Sequence, residues 1–531
     1  MDSHYSASAA PLTSRARLER ISEPWAFNRY IAIGVTLALA ILLGCWAANG
    51  EFENLILLAV WLTAVMIIVF VQDHWWSPAL VITALSFTTF AAGFPMTGME
   101  IGVVILSLTF PVKMAMKTLR KAEPDMSPGL FFWALLGYLV IHGIVILFYS
   151  KIEGVGSLKN IVRAYYAVIT PLVFYCLLFR YCHARTVRPA LTVIYFTTFF
   201  AVIVSCVTMH IGISIAPLSL LRISIGCLDP DGADGILRGS APILFIASVA
   251  FWPVVRRGWP RLVLVLAAVI GLYGTMLGGG RLSFASCIMA GFIFAVARGK
   301  ILIAIPFLVL TLLVSAVMSA DPELAFSLPE NIQRALTPLN FSEQKTEIQG
   351  GLDASNAWHR DLRDRSIGYW TQDTTSFWVG HGYKAWDESE SYAIENNLGI
   401  SDEQAEQTAI EMGRTENMFS GMTNIFGLAG FLLYIGFLLH LAWTVFRACR
   451  IIPPGSDARA FCEFSLVGIL MTIVLCPFAG GAPNLSIAYW ALGLVAARPY
   501  LFAPAPAKPL QPKPELPSFI PKSLRPASQG S

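Results

Sequence analysis

The sequence predicts an all-α, polytopic transmembrane helical bundle of about fourteen helices, with both termini inside and one large extracytoplasmic loop. Three observations carry that expectation. Charged residues make up 13% of the 531 positions and hydrophobic residues 56%, whereas a soluble domain is about a quarter charged. Apolar runs approaching the roughly 20 residues that a membrane helix needs recur along the chain. The basic residues between those runs are sorted by position, as a fixed orientation in a bilayer requires.

The apolar spans fall near residues 30–48, 54–72, 76–94, 99–116, 129–149, 164–181, 190–210, 239–255, 261–278, 283–298, 300–319, 419–446, 463–480 and 484–502. From a cytoplasmic start, every even-numbered span should end in a basic segment. Lys113, Lys117, Arg120 and Lys121 follow the fourth, and Arg180, Arg185 and Arg188 follow the sixth. Arg256, Arg257 and Arg261 follow the eighth, Arg298 and Lys300 the tenth, and Arg447, Arg450 and Arg459 the twelfth. Only the loop from Gln72 to Trp76 breaks the pattern.

This map divides the chain into five parts. Residues 1–28 are a polar cytoplasmic tail with Arg15, Arg17 and Arg20 and no cleavable signal. Residues 29–319 carry helices one to eleven. Residues 320–418 form a large periplasmic loop. Residues 419–502 carry helices twelve to fourteen. Residues 503–531, with eight prolines from Pro504 to Pro526, form a tail too poor in buriable apolar surface to order itself.

The loop is strongly acidic, with 18 of the chain's 34 acidic residues and seven Lys or Arg. It opens with loop-like sequence at Ser327-Leu-Pro-Glu. A charged, helix-compatible stretch runs from Trp358 to Trp370, and a Gly-rich turn follows at Gly380-His-Gly-Tyr383. A second helix-compatible stretch runs from about Ser401 to Asn417.

Composition excludes some classes. No polybasic groove with interleaved aromatics is present, so nucleic acid is not an expected partner. The nine cysteines form no CxxC pair and none lies in the loop, so neither a disulfide framework nor a thiolate metal site is expected. Gly274-Thr-Met-Leu-Gly-Gly-Gly-Arg281 lacks the Lys-Ser/Thr of a phosphate loop. Asp229-Pro-Asp-Gly-Ala-Asp-Gly235 would need an oxygen ligand at Ala233 to hold calcium, so it reads as a turn. His359 and His381 have no zinc spacing, and His142 and His210 read as structural.

Segments facing outward should be poor in Lys and Arg, so the exceptions are informative. Arg222, Arg238 and Arg281 all fall at the outer membrane boundary, and Arg360, Arg363, Arg365 and Arg414 lie in the loop above it. Arginine at that depth is costly unless it is paired or faces a wet cavity. Its planar fork grips phosphate oxygens in a way that lysine cannot. Convergence of several arginines at headgroup level suits a lipid-linked pyrophosphate. For each residue taken singly, a snorkelling anchor or a structural ion pair is the competing reading, most of all for Arg238. Three glycines precede Arg281, and a tight turn can aim it inward.

Four segments resemble the O-antigen ligase and Wzy-type polysaccharide polymerase superfamily. Gly278-Gly-Gly-Arg-Leu-Ser-Phe-Ala is similar to that family's Ser/Gly-Arg turn. Arg222-Ile-Ser-Ile-Gly-Cys-Leu-Asp-Pro-Asp231 is similar to its Arg, Gly, then Pro-Asn or Pro-Asp element. Arg365 and Trp370, followed by Gly380-His-Gly-Tyr383, resemble its Arg-aromatic and Gly-x-Gly stretch. Arg414-Thr-Glu-Asn-Met-Phe419 with Asn424-Ile-Phe-Gly-Leu-Ala-Gly430 resembles its His-Asn and Gly-Leu signature. The resemblance covers roughly residues 215–445. Ligases of the family carry His where this chain has Glu416.

The resemblance implies a GT-C-like membrane glycosyltransferase. Its donor would be an undecaprenyl-pyrophosphate-linked glycan, with a glycan acceptor on the outer side of the inner membrane and no metal, nucleotide sugar or other cofactor. It also implies flippase and chain-length regulator proteins as partners. Transferred residue by residue, it gives Glu416 as general base and Arg281 and Arg222 at the pyrophosphate, with Arg238, Arg365, Arg414 and Asn417 as substrate-binding residues. An ion pair with Arg414 is the competing role for Glu416. Three other functions compete with polymerase: an O-antigen ligase, a lipid-linked oligosaccharide flippase, and a lipid-phosphate-sugar transferase using Glu51 or Glu53.

Overall fold

The computed structural model describes residues 128–153, 158–182, 184–211, 223–228, 230–255, 258–300, 330–336, 347–383, 417–477 and 486–501. It also describes strands at 88–90 and 96–97 and scattered positions within 302–316 and 406–411. Both tails, the first, second and fourth spans, most of the eleventh and most of residues 384–416 lie outside the described residues. So do residues 212–222, and Arg222, Arg414 and Glu416 are therefore not described.

Twelve helices are described. They are α1 (Leu130–Glu153), α2 (Leu158–Tyr181), α3 (Ala184–Ile211), α4 (Pro230–Phe251), α5 (Trp259–Leu277), α6 (Arg281–Ala297), α7 (Glu330–Leu336), α8 (Glu347–Trp370), α9 (Thr374–Val379), α10 (Met418–Ile451), α11 (Asp457–Leu475) and α12 (Ser486–Leu501). Among the described residues, six helices are long and apolar enough to cross a membrane, within α1, α3, α4, α5, α10 and α11. Large side chains such as Ile141, Phe148, Phe200 and Val269 stand exposed on them, which suits lipid rather than water as the surrounding solvent.

Local chemistry sets the helix ends. Pro260 sits in the first turn of α5, after Gly258 at φ 110°, where a missing N–H costs nothing. Ser456 caps α11 by accepting from the Arg459 N–H, with Asp457 in the first turn, a favourable pairing with the helix dipole.

Four expectations need correction. The segment from Asp229 to Gly235 is not a free turn, because α4 already begins at Pro230, where proline's fixed φ suits a helix start. The loop helix begins at Glu347 rather than near Trp358, so neither Gly350 nor Gly351 stops it. The twelfth span is not one regular helix, because Gly427 (φ 64°, ψ −178°) breaks α10. The third span is not helical over its described residues. Thr88–Phe90 is a strand, β1, central in a small antiparallel sheet with β2 (Met96–Thr97) and β3 (Ile223–Ile225) in the order β2-β1-β3. Thr89 pairs with both Thr97 and Ser224. The β-branched Thr and Ile of these strands suit the sheet.

Close backbone approach joins α4 to α5. A Cβ on Gly271 would lie 2.9 Å from Ala241 O, and Cβ atoms on Gly274 and Gly278 would press on Leu237. Such small-residue seams let membrane helices pack at short range. The largest buried cluster lies among α1, α2, α10, α11 and α12, with Phe132, Tyr175, Phe426 and Phe437 in it.

Candidate functional site

One end of the bundle is fixed by buried charge. Glu463 of α11 takes Arg298 Nε at 2.8 Å on one oxygen and Arg459 Nε at 2.8 Å on the other. Arg298 also donates to Val249 and Ala250 O, and Arg459 to Ala297 O. These are carbonyls at the C-terminal ends of α4 and α6, left without intrahelical partners and favoured by nearby cations. Arg498 does the same for α2 through Phe179 and Cys182 O. In the sequence Arg298 and Arg459 stand out only as topology signals, and nothing local marks Glu463 or Arg498 as their counterparts.

The other end holds described residues singled out from sequence, Arg238 and Arg281 at one corner and Asn417 at the start of α10. Helix α6 leads away from the triad for about 25 Å at 1.5 Å per residue and begins at Arg281. Helix α11, starting beside the triad, ends at the same level, where Cys476 O accepts from Phe419 N–H. Two structures are built there.

The first is a corner. Gly278, Gly279 (φ 63°) and Gly280 link α5 to α6. A Cβ on Gly279 would approach Asn331 of α7. Gly280 caps α6 with no side-chain hydrogen bond, and Arg281 is the first residue of the helix. Arg238 closes the corner from α4. Its Nε donates to Gly278 O at 2.8 Å, its Nη2 pairs with Asp234 at 2.7 Å, and Ser283 Oγ donates to its carbonyl. Arg238 is therefore tied to the turn while half-exposed, and the ion-pair reading weighed for it from sequence describes its geometry.

The second is a junction where the loop docks onto the break in α10. Gly380 (φ 82°) and Gly427 (φ 64°) face each other, and a Cβ on either would lie within 2.5 Å of the other strand's backbone. The N–H groups of His381 and Gly382 donate to Asn424 and Ile425 O, at 2.7 and 2.9 Å, the carbonyls that the break releases. Tyr138 of α1 donates to Phe426 O at 2.6 Å. His142 Nε2 donates to Val379 O at 3.0 Å, and Tyr165 OH meets His142 Nδ1 at 2.7 Å. Since a carbonyl only accepts, His142 carries its proton on Nε2 and receives from the Tyr165 hydroxyl. Asn424 Nδ2 donates to buried Ser366 of α8. The segments 365–370, 380–383 and 424–430, far apart in sequence, are thus one packed unit. Trp370 stacks on Phe377 and meets Phe419 edge-on.

Within the loop, Asp373 caps α9 and accepts from Thr375 N–H, Ser376 N–H and Ser376 Oγ. The Ser376 hydroxyl first, and then the backbone N–H groups, hold its carboxyl below the usual range. His381 stacks on Tyr369 and donates to Tyr369 O. Asp373, Ser376 and His381 are neighbours, but the serine proton goes to the aspartate and the histidine proton to a carbonyl. No activated nucleophile results.

Arg365 pairs with Glu406 at 3.0 Å and remains half-exposed. Asn417 caps α10, its Oδ1 accepting from Ser420 N–H and Ser420 Oγ at 2.7 and 2.8 Å. No group of three or more metal-ligating side chains occurs among the described residues. Compared with known proteins, the chain matches no family profile and no curated sequence.

Proposed function

We propose that this protein is a membrane glycosyltransferase that polymerises undecaprenyl-pyrophosphate-linked oligosaccharide units on the outer side of a bacterial inner membrane. The observation that carries the reading is an apolar helical bundle that holds an arginine-bearing glycine corner and a polar loop docked onto the break in α10. The corner brings together Arg281 in the first turn of α6 and tethered Arg238, residue types suited to a multivalent anion. The resemblance of four segments to the O-antigen ligase and Wzy superfamily supplies the substrate class.

A sugar on pyrophosphate carries a good leaving group. The acceptor hydroxyl attacks C1 from the face opposite the pyrophosphate, the C1–O bond breaks, and the carrier pyrophosphate departs with the electron pair. The acceptor proton passes to a base, for which Glu416 is the candidate, and one displacement inverts the anomeric centre. Arg222 and Arg281 stabilise the charge growing on the pyrophosphate, a contribution of several kcal/mol when such groups are preorganised. Arg414 closes from the loop. Arg365 gives part of its fork to Glu406, and Asn417 acts through the start of α10 rather than through its oxygen.

The test is deletion of the gene with gel analysis of surface polysaccharide, complemented by wild type, Arg281→Ala, Arg222→Ala and Glu416→Gln. Loss of long chains with single repeat units retained, rescued by wild type alone at equal protein levels, is the expected result. Long polymer accumulating on its carrier would point to a ligase.

One observation favours a second reading. A helix broken at Gly427 resembles the discontinuous helices of secondary transporters. A lipid-linked oligosaccharide flippase would leave repeat units trapped inside the membrane on deletion, whereas loss of a polymerase leaves them exposed outside.

A further inference from the structure

Away from the corner and the junction, one arginine has no acid to pair with. The chain carries no Asp or Glu between Asp234 and Asp321, a stretch that holds Arg256, Arg257 and Arg261 within six positions. Arg261 stands in the first turn of α5, and its guanidinium carbon lies 5.1 Å from the ring centre of Trp252, just past the end of α4. Its Nε is buried with no hydrogen-bond partner. Among the described residues no carboxylate pairs with it, whereas Arg188, Arg238, Arg298, Arg365 and Arg459 each have one. The turn around the pair is ordered. Val254 and Val255 N–H donate to Phe251 O at 3.0 and 3.2 Å, and Arg261 N–H donates to Gly258 O at 3.0 Å. Phe251 packs edge-on against Phe461 of α11, so the turn is anchored at the end that the Glu463 triad clamps. Trp252 is partly open, and Trp259, the first residue of α5, is 74% exposed.

We propose that Trp252 and Arg261 bind the phosphate of an anionic phospholipid at the clamped end of the bundle, with Trp259 at the same membrane level. The site is separate from the corner and stands independently of the polymerase reading. An indole face under a guanidinium orients it and takes one side away from water. The planar fork then presents its edge to phosphate oxygens, which it grips in pairs. A lipid phosphate supplies the negative charge that this stretch of chain lacks. The pair lies where two spans meet, α4 and α5, each long and apolar enough to cross a membrane. That is the headgroup level, where tryptophan concentrates and where basic residues just outside a span attract anionic lipid. A hydrated, snorkelling arginine is the competing use. Arg450 fits that use: it is exposed and lies over Phe446 of its own helix. Arg261 differs in being half-buried and held by a ring from a neighbouring element.

The test uses the full-length protein in liposomes that mix phosphatidylglycerol and phosphatidylcholine equally, one of the two brominated on its acyl chain near the headgroup. The signal is the emission of Trp259, taken as the difference between each protein and the same protein carrying Trp259→Phe. In wild type, brominated phosphatidylglycerol should quench it more than brominated phosphatidylcholine, with a local preference of about fivefold, the effect of one arginine beside anionic headgroups. Arg261→Ala and Trp252→Ala should each bring the two lipids to equality. Trp252→Phe should keep part of the preference through its remaining ring, and Arg450→Ala should leave it whole. Arg261→Lys keeps the charge without the fork, and the preference should fall there too. Equal quenching by the two lipids in wild type, or a full preference in Arg261→Ala or Arg261→Lys, would overturn the proposal. Millimolar glycerol phosphate should not compete. Loss of the preference in its presence would assign the site to a soluble anion and overturn the lipid.

Discussion

Glu463 shows how a single carboxylate organises one end of this bundle. It is 3% exposed and sits between two guanidinium groups that also hold the carbonyl ends of α4 and α6. Removing one member of a buried ionic set strands the remaining charges, which costs roughly 3–5 kcal/mol. Glu463→Ala should therefore lower the detergent-solubilised melting temperature sharply and reduce membrane yield, while Arg188→Ala, which removes an exposed side chain paired with Asp457, should change either little. Asp373 gives a pH signature. Its folded-state pKa is depressed by the Ser376 hydroxyl and backbone N–H groups, so its contribution is complete above the unfolded value of about 3.9. That contribution is lost as pH falls through the lower folded value. Hydrogen exchange at the start of α9, taken relative to the intrinsic rate at each pH, should stay slow and even above about pH 5 and accelerate only in stronger acid. Asp373→Ala should accelerate it at neutral pH. Of the site residues named from sequence, Arg281 and Arg238 could be placed because a boundary arginine is conspicuous in an apolar chain. His142, Tyr165 and Glu406 could not, since nothing in a lone residue's neighbours announces a partner that folding brings from 23 to more than 200 positions away.

At the scale of elements, the junction between the loop and α10 is a contact between two backbones. Gly380 and Gly427 both sit at positive φ and leave no room for a Cβ. An alanine at either position combines left-handed strain of about 1–3 kcal/mol with a backbone clash. Gly427→Ala should detach α9 from α10, seen as faster proteolysis within residues 374–383, while the melting of the remaining bundle changes less. Protection equal to wild type would mean that the break in α10 does not depend on the glycine. The sequence marked both glycines as parts of separate motifs, and periodicity carried most helices of the bundle with ends shifted by several residues. It found the spans of α10 and α4 but missed the break in the first, the early start of the second, and β1. The α10 break is satisfied by a distant loop. The α4 start depends on proline at its first position, and β1 depends on pairing with Ile223–Ile225 across more than a hundred residues. Local pattern does not encode such long-range partners.

At the scale of the molecule, buried arginine–carboxylate bonds clamp one end, and the glycine corner and docked loop occupy the other. That asymmetry matches the sorting of basic residues along the chain and suits chemistry on one face of a bilayer. It predicts that single cysteines placed at Thr371 or Gln372, both exposed, react with a membrane-impermeant maleimide in intact cells stripped of their outer membrane. A cysteine at exposed Gly455 should react only after lysis. The most direct test of the central claim is reconstitution of the purified chain in liposomes with an undecaprenyl-pyrophosphate-linked oligosaccharide and no other protein. The account predicts a ladder of lengthening glycans with release of undecaprenyl pyrophosphate, abolished in Arg281→Ala. Carrier-linked units that stay single with wild-type protein, or that only change leaflet, would contradict it.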